Sequence, residues 1–152
     1  MTVESGQRIP IERNILLVDD SEDDCMLMQV ALTRAAFPGA VRELRSGEEA
    51  MACLAGEGPY SDRAQHPMPS LMFLDLNMPR KSGFEVLAWA RARPGLKRLP
   101  ICVLTASVRQ EDIARALELG ATSYLVKPTN LDTLASNLRC LREWMRVDQF
   151  WA

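Results

Sequence analysis

The chain has 152 residues, of which 47% are hydrophobic and 25% are charged, enough for one globular domain with a core and too few for a second output domain. The net charge of -2 and the pI near 5.5 argue against binding of nucleic acid through neutralised phosphates. No apolar run approaches the roughly 20 residues that span a bilayer, and the N-terminal residues lack a signal-peptide pattern. We therefore expect a cytoplasmic protein without a membrane segment.

The predicted elements alternate between short apolar strands and amphipathic helices along the whole chain. Three pairs resemble capping boxes at helix starts: Ser21 with Asp24, Ser46 with Glu49, and Ser107 with Gln110. Strands are predicted at 14–19, 40–44, 70–74, 100–104 and 122–126. Helices are predicted after each strand, the third over 84–93 and the last from about residue 131. Residues 56–69 hold two glycines and three prolines without periodicity, which indicates a long loop.

Five β-α units in strict alternation predict an α/β fold with a doubly wound, five-stranded parallel sheet and five helices. We expect the flavodoxin-like strand order 2-1-3-4-5, in which the topological switch lies between the first and third strands. We divide the chain into an N-terminal extension at 1–12, a domain at 13–147 and a C-terminal tail at 148–152. The four cysteines have no CxxC spacing, so they indicate neither a zinc site nor a disulfide framework.

Polar residues follow four of the predicted strands. Asp19 and Asp20 come after the apolar run ILLV, Asp75 after LMFL, Thr105 after ICVL, and Lys127 after YLV. In the expected strand order the three carboxylates converge on one crevice, where their mutual repulsion requires a cation. Oxygen ligands favour a hard metal such as Mg²⁺, and Lys127 could neutralise the remaining charge. Carboxylates, a divalent ion, a hydroxyl and an ammonium group together suit phosphoryl transfer onto a carboxylate.

These residues, with the segments LDLNMP, TA and KP, resemble the receiver domain of response regulators over nearly the whole chain. The resemblance implies that Asp75 accepts a phosphoryl group from a histidine kinase. It also implies that Asp19, Asp20, Asp75 and the backbone carbonyl of Asn77 hold Mg²⁺, and that Thr105, Ala106 and Lys127 contact the phosphoryl group. A cis bond before Pro128 is a further implication.

The resemblance also implies a switch. Thr105 and Tyr124 would move together on phosphorylation and change the surface of helix 4, strand 5 and helix 5. Asn77 and Ser107, each two positions after a site residue, are candidates for tuning dephosphorylation. The identity of these two residues does not predict the rate of dephosphorylation.

The resemblance implies a sensor histidine kinase as a partner, and the apolar residues near the chain end predict a homodimer. The long loop, the segment ELGATSYLVKPTNLDTL and the terminal Phe-Trp resemble small receivers that serve phytochrome-type kinases. Trp144, Phe150 and Trp151 place apolar groups near the chain end, where they could form a homodimer interface or fold back on the domain.

Several alternatives remain open from the sequence. Taken singly, the aspartates could cap a helix or make a turn, but their joint order at strand ends favours a site. A phosphohydrolase with an aspartyl nucleophile would carry DxDxT, whereas this chain has Asp75-Leu76-Asn77, without the second carboxylate. A phosphorelay intermediate and an unphosphorylated scaffold are the other candidates.

Overall fold

The computed structural model describes residues 14–128 and 130–147. Its strands are Asn14–Val18 (β1), Ala40–Leu44 (β2), Leu71–Leu74 (β3), Ile101–Thr105 (β4) and Ser123–Val126 (β5). The α helices of this part of the chain are Glu22–Arg34 (α1), Gly47–Ala55 (α2), Gly83–Ala92 (α3), Gln110–Glu118 (α4) and Leu131–Val147 (α5). None of these helices is long and apolar enough to cross a bilayer.

The five strands form one parallel sheet in the order β2-β1-β3-β4-β5, as the sequence predicts. Strand β1 lies between β2 and β3, with Val18 in register with Leu44 on one side and Leu74 on the other. The chain therefore reverses its winding direction beside β1, and the carboxyl ends of β1 and β3 are neighbours. This arrangement brings the residues that follow β1 and β3 to the same crevice.

Two apolar layers cover the two faces of the sheet. One contains buried residues of α1 and α5, and the other contains buried residues of α2, α3 and α4. Strands β1, β3 and β4 are buried along their length because helices cover both faces. Phe73 and Met72, adjacent in β3, illustrate the alternation, since they are fully buried in opposite layers.

The long segment at 56–69 is held by two arginines, and its only regular element is a 3-10 turn at Gly58–Tyr60. Arg63 donates to the carbonyls of Cys53 and Leu54, the orphan acceptors at the end of α2, at 2.8 and 2.9 Å. Arg42, from the edge strand β2, donates to the carbonyl of Gln65 at 2.9 Å. The segment is a loop, as predicted, and it packs on the β2 side of the sheet.

The start of α4 differs from the sequence prediction. Its N-cap is Arg109, which makes no side-chain capping bond, whereas the pattern predicted capping by Ser107. The hydroxyl of Ser107 instead donates to Asp112 at 2.6 Å, and its carbonyl accepts from the hydroxyl of Tyr124 at 3.0 Å. The Ser107 hydroxyl thus accepts from the N–H of Arg109, which precedes the helix, and contacts α4 through the side chain of Asp112, so it does not cap the helix.

Candidate functional site

The carboxyl ends of β1 and β3 place two aspartates side by side. Asp19 follows β1 and Asp75 follows β3. The hydrogen bonds of the sheet continue into both residues. The Asp75 N–H donates to the Val18 carbonyl and the Asp19 N–H donates to the Leu44 carbonyl, each at 3.0 Å. The two aspartates are 3% and 6% exposed. The backbone therefore fixes two nearly buried carboxyl groups at the topological switch.

Asp20 completes a cluster of three carboxylates. One oxygen each from Asp19, Asp20 and Asp75 lies within 4.8 Å of the others, and Asp20 is exposed to solvent. A ring of carboxylate oxygens with one open side suits a hard divalent cation that keeps part of its water shell. The donor set present in this chain therefore fits the metal that the sequence suggested.

Lys127 supplies a positive charge to this cluster. Its Nζ lies 2.7 Å from Oδ2 of Asp19, 2.8 Å from Oδ2 of Asp24 and 3.4 Å from Oδ2 of Asp75. The backbone N–H of Lys127 donates to the carbonyl of Thr105 at 2.7 Å, which fixes the start of this side chain beside the end of β4. The ammonium thus has its closest carboxylate contacts with Asp19 and Asp24, and a longer one with Asp75.

The pKa shifts agree with this crowding. Burial raises the pKa of the Asp75 carboxyl above its ordinary value; the charge of Lys127 opposes this shift and the charge of Asp19 adds to it. Burial disfavours the charged form of Lys127, but its hydrogen bonds to Asp19 and Asp24 outweigh burial and raise its pKa. At neutral pH Lys127 is a cation, and the fold holds Asp75 in an environment that opposes its negative charge.

Asn77 links Asp75 to the end of β4. Its backbone N–H donates to Oδ1 of Asp75, and its side-chain amide donates to the hydroxyl of Thr105, both at 3.3 Å. Thr105 is fully buried, while Asn77 and Ala106 are exposed. Asp75, Asn77 and Thr105 are thus joined by two consecutive hydrogen bonds.

Gly83 allows the loop after β3 to close over Asp75. A Cβ at this position would overlap the Asp75 carbonyl oxygen and lie 2.7 Å from Cα of Leu76, and backbone atoms cannot accommodate such contacts. The Gly83 N–H donates to the Leu76 carbonyl at 2.9 Å. Glycine is therefore required where α3 begins, because the helix start presses on the backbone that carries Asp75.

Tyr124 lies in β5 and reaches the loop that follows β4. Its hydroxyl donates to the Ser107 carbonyl at 3.0 Å, and its ring is half-buried. Burial raises the pKa of the Tyr124 hydroxyl, and the bond to Ser107 opposes that shift. Tyr124 and Thr105 therefore contact the same residue, because the Ser107 N–H lies 3.5 Å from the Thr105 hydroxyl.

Two points of the sequence prediction need correction. No peptide bond of the described residues is cis, so the Lys127–Pro128 bond is trans and the prediction of a cis bond is wrong; trans is favoured by about 0.5–1 kcal/mol for bonds before proline. The sequence pattern assigned Asp24 to helix capping and did not reveal its contact with Lys127.

Of the three residues predicted to form an interface, Trp144 is 42% exposed on α5, while Phe150 and Trp151 lie outside the described residues.

The chain is similar to known proteins in sequence and in structure. Residues 15–139 match the family model described as response regulator receiver domain. Response regulator Rcp1 of Synechocystis sp. is 39% identical over 137 residues, which are 90% of this chain and 87% of the relative.

Two solved structures extend the comparison. The phosphorylated cyanobacterial phytochrome response regulator RcpA superposes with a TM-score of 0.80 at 38% identity, covering 88% of this chain and 94% of that one. The Mn²⁺-bound form of Rcp1 has a TM-score of 0.76 at 39% identity, with 86% and 91% covered. The chain belongs to the response regulator receiver domain family, whose members are signalling domains that sensor kinases typically phosphorylate on an aspartate.

Proposed function

We propose that Asp75 is the phosphoacceptor of this receiver and that its phosphorylation requires Mg²⁺. The observation that supports this most directly is the position of Asp75, a nearly buried carboxylate that shares Lys127 with Asp19 and lies within 4.8 Å of two other carboxylates. Asp19, Asp20 and Asp75 would hold the metal, with the backbone carbonyl of Asn77 as a further ligand. When bound, Mg²⁺ would neutralise charge on the phosphoryl oxygens.

In the proposed transfer, a carboxylate oxygen of Asp75 forms a bond to phosphorus as the bond between phosphorus and the donor histidine nitrogen breaks. The electron pair of the broken bond stays on the imidazole, so Asp75 needs no proton transfer. Lys127 stabilises the charge of the phosphoryl group, and the Thr105 hydroxyl and the Ala106 N–H donate to its oxygens. Desolvation of Asp75 favours the reaction because it disfavours the free carboxylate.

The same site argues against a phosphohydrolase. Such an enzyme needs a general acid two positions after its nucleophile, and Asn77 occupies that position here. An amide cannot supply a proton, and this one already donates to Thr105. We propose that Asn77 and Ser107 influence how long the phosphoryl group persists, since both lie beside Asp75 or Thr105.

The proposed output is a change at α4, β5 and α5. The Thr105 hydroxyl accepts from Asn77 in the unphosphorylated state and would turn toward a phosphoryl group. This turn would alter the loop at Ser107, which Tyr124 contacts through its carbonyl. We propose that Tyr124 responds by moving inward and that the altered face, with exposed Trp144, supports a homodimer.

We propose a phytochrome-type histidine kinase as the partner. The support is the similarity to Rcp1 and to RcpA, the latter described as a cyanobacterial phytochrome response regulator. Phosphotransfer from a phytochrome-type kinase at a rate no higher than from an unrelated histidine kinase would contradict this assignment.

The central experiment incubates the protein with Mg²⁺ and a small acyl-phosphate donor and measures intact mass for the wild type and for Asp75→Asn. A phosphoryl adduct on the wild type alone, lost when a chelator replaces Mg²⁺, is the expected result. An adduct on both proteins would place the acceptor elsewhere. A sizing column run on the same samples tests the dimer, and an unchanged monomeric mass would contradict it.

A further inference from the structure

In the described part of the chain, three helices start with a serine followed three residues later by an acidic residue, and in one of them the acid contacts a residue distant in sequence. In α3 the capping box is complete, because Ser82 accepts from the Glu85 N–H and Glu85 accepts from the Ser82 N–H. In α1, Ser21 accepts from the Asp24 N–H at 3.2 Å, but the Ser21 N–H donates to Asp19 at 3.0 Å. Capping therefore leaves the Asp24 carboxylate free for another contact.

That carboxylate contacts Lys127 at 2.8 Å, nearly as closely as Asp19 does at 2.7 Å and more closely than Asp75 at 3.4 Å. An ammonium group has three donors, so its three contacts occupy them all. Two of these acceptors, Asp19 and Asp75, belong to the proposed metal site, and Asp24 does not. Lys127 and a cation thus compete for the same two carboxylates, and Asp24 draws the ammonium toward α1.

We propose that Asp24 is a positioning residue that holds Lys127 away from the metal ligands and so keeps the carboxylate cluster available for Mg²⁺. This inference rests on the proposed function. Without the Asp24 charge, Lys127 turns toward Asp19 and Asp75 and binds them more tightly. The metal then has to displace a stronger ion pair, while the ammonium, once displaced, has no competing acceptor on α1.

We expect Asp24→Asn to weaken Mg²⁺ binding without lowering the phosphorylation rate at saturating Mg²⁺. The Mg²⁺ dissociation constant, measured by calorimetry without a phosphoryl donor, rises about 3- to 5-fold, the upper part of the range expected for losing one partly exposed charge contact. The phosphorylation rate at saturating Mg²⁺ does not fall below that of the wild type. Asp24→Glu, which keeps the charge, restores the affinity to within about twofold.

Two controls separate this role from a general charge effect. Asp23→Asn removes an exposed charge from the same helix turn and leaves the affinity within about twofold of the wild type. In a Lys127→Gln background, Asp24→Asn causes no further change in affinity, because the competing ammonium is gone. An equal loss with Asp23→Asn, or a loss that persists without Lys127, would overturn the proposal.

The outcomes also separate this inference from the proposed function. A wild type that neither binds Mg²⁺ nor gains a phosphoryl group rejects the proposed function itself. A wild type that does both, with Asp24→Asn unchanged in affinity, rejects only the role of Asp24. Urea unfolding of each metal-free variant verifies that the fold is intact, and a parallel loss of affinity and saturated rate would indicate a merely structural role for Asp24.

Discussion

Replacing Asp75 by asparagine should stabilise the metal-free protein. Asp75 is 6% exposed and lies within 4.8 Å of two carboxylates, with Lys127 at 3.4 Å as its counter-charge. In an effective dielectric of about 20, each repulsion at that separation costs about 3.5 kcal/mol and the ion pair contributes about 5 kcal/mol. The net repulsion is therefore about 2 kcal/mol, and solvent around exposed Asp20 reduces it. We expect Asp75→Asn to raise the free energy of unfolding by about 1–2 kcal/mol.

The assay is urea unfolding at neutral pH in the presence of a chelator, repeated with saturating Mg²⁺. The metal should reverse the order of stability, because it binds the wild-type cluster and stabilises the folded state by mass action. Exposed Asp23→Asn serves as a control and should not stabilise, since it removes a favourable charge from the first turn of α1.

The sign of the pH dependence follows from the raised pKa of Asp75. A carboxyl whose folded pKa lies above its unfolded value destabilises the fold at higher pH, and this cost disappears as pH falls through the folded pKa toward the unfolded one. The advantage of Asp75→Asn should therefore shrink in acid. An asparagine variant less stable than the wild type in chelator at neutral pH would show that the Lys127 pair outweighs the repulsion.

Three further results are expected. Gly83→Ala should lower the urea midpoint of unfolding strongly, because the added Cβ would overlap the Asp75 carbonyl. Gly95→Ala is the control and should lower the midpoint little, because no atom lies near the added Cβ. Equal losses in the two variants would contradict the steric explanation. Ser82→Ala should cost about 1 kcal/mol in urea unfolding by removing the α3 capping box, and no change would mean that water replaces the cap. Cys140 alone should react with a thiol reagent in the native protein, because the other three cysteines are buried, and all four should react in denaturant. A second thiol that reacts rapidly in the native protein would show that local unfolding exposes a buried cysteine.

The strand order and the carboxylate cluster could be predicted because they depend on simple rules. Alternation of apolar runs with helices requires a parallel sheet, and a parallel sheet brings the residues after β1 and β3 together. Asp19 and Asp75 lie where this reasoning expects them. The helix starts at Ser21 and Ser46, which have local capping patterns, were also predicted correctly.

The failures occur where a distant residue competes with a local pattern. Asp24 has the spacing of a capping residue, and nothing near it in sequence reveals that Lys127, 103 positions away, takes its carboxylate. Ser107 also has the spacing of a cap, but Tyr124 binds its carbonyl from β5 and the helix begins later. Contacts between residues far apart in sequence decide both cases, and periodicity carries no information about them.

The ion pair between Asp19 and Lys127 joins positions 108 residues apart, close to the two ends of the sheet-forming chain. Closing so long a loop has an entropic cost that only the assembled sheet offsets, so the pair forms once β1, β3, β4 and β5 are in place. A chain interrupted during synthesis before residue 127 carries Asp19 and Asp75 but not the ammonium group that neutralises them, so this part of the site is assembled only after β5 has been made.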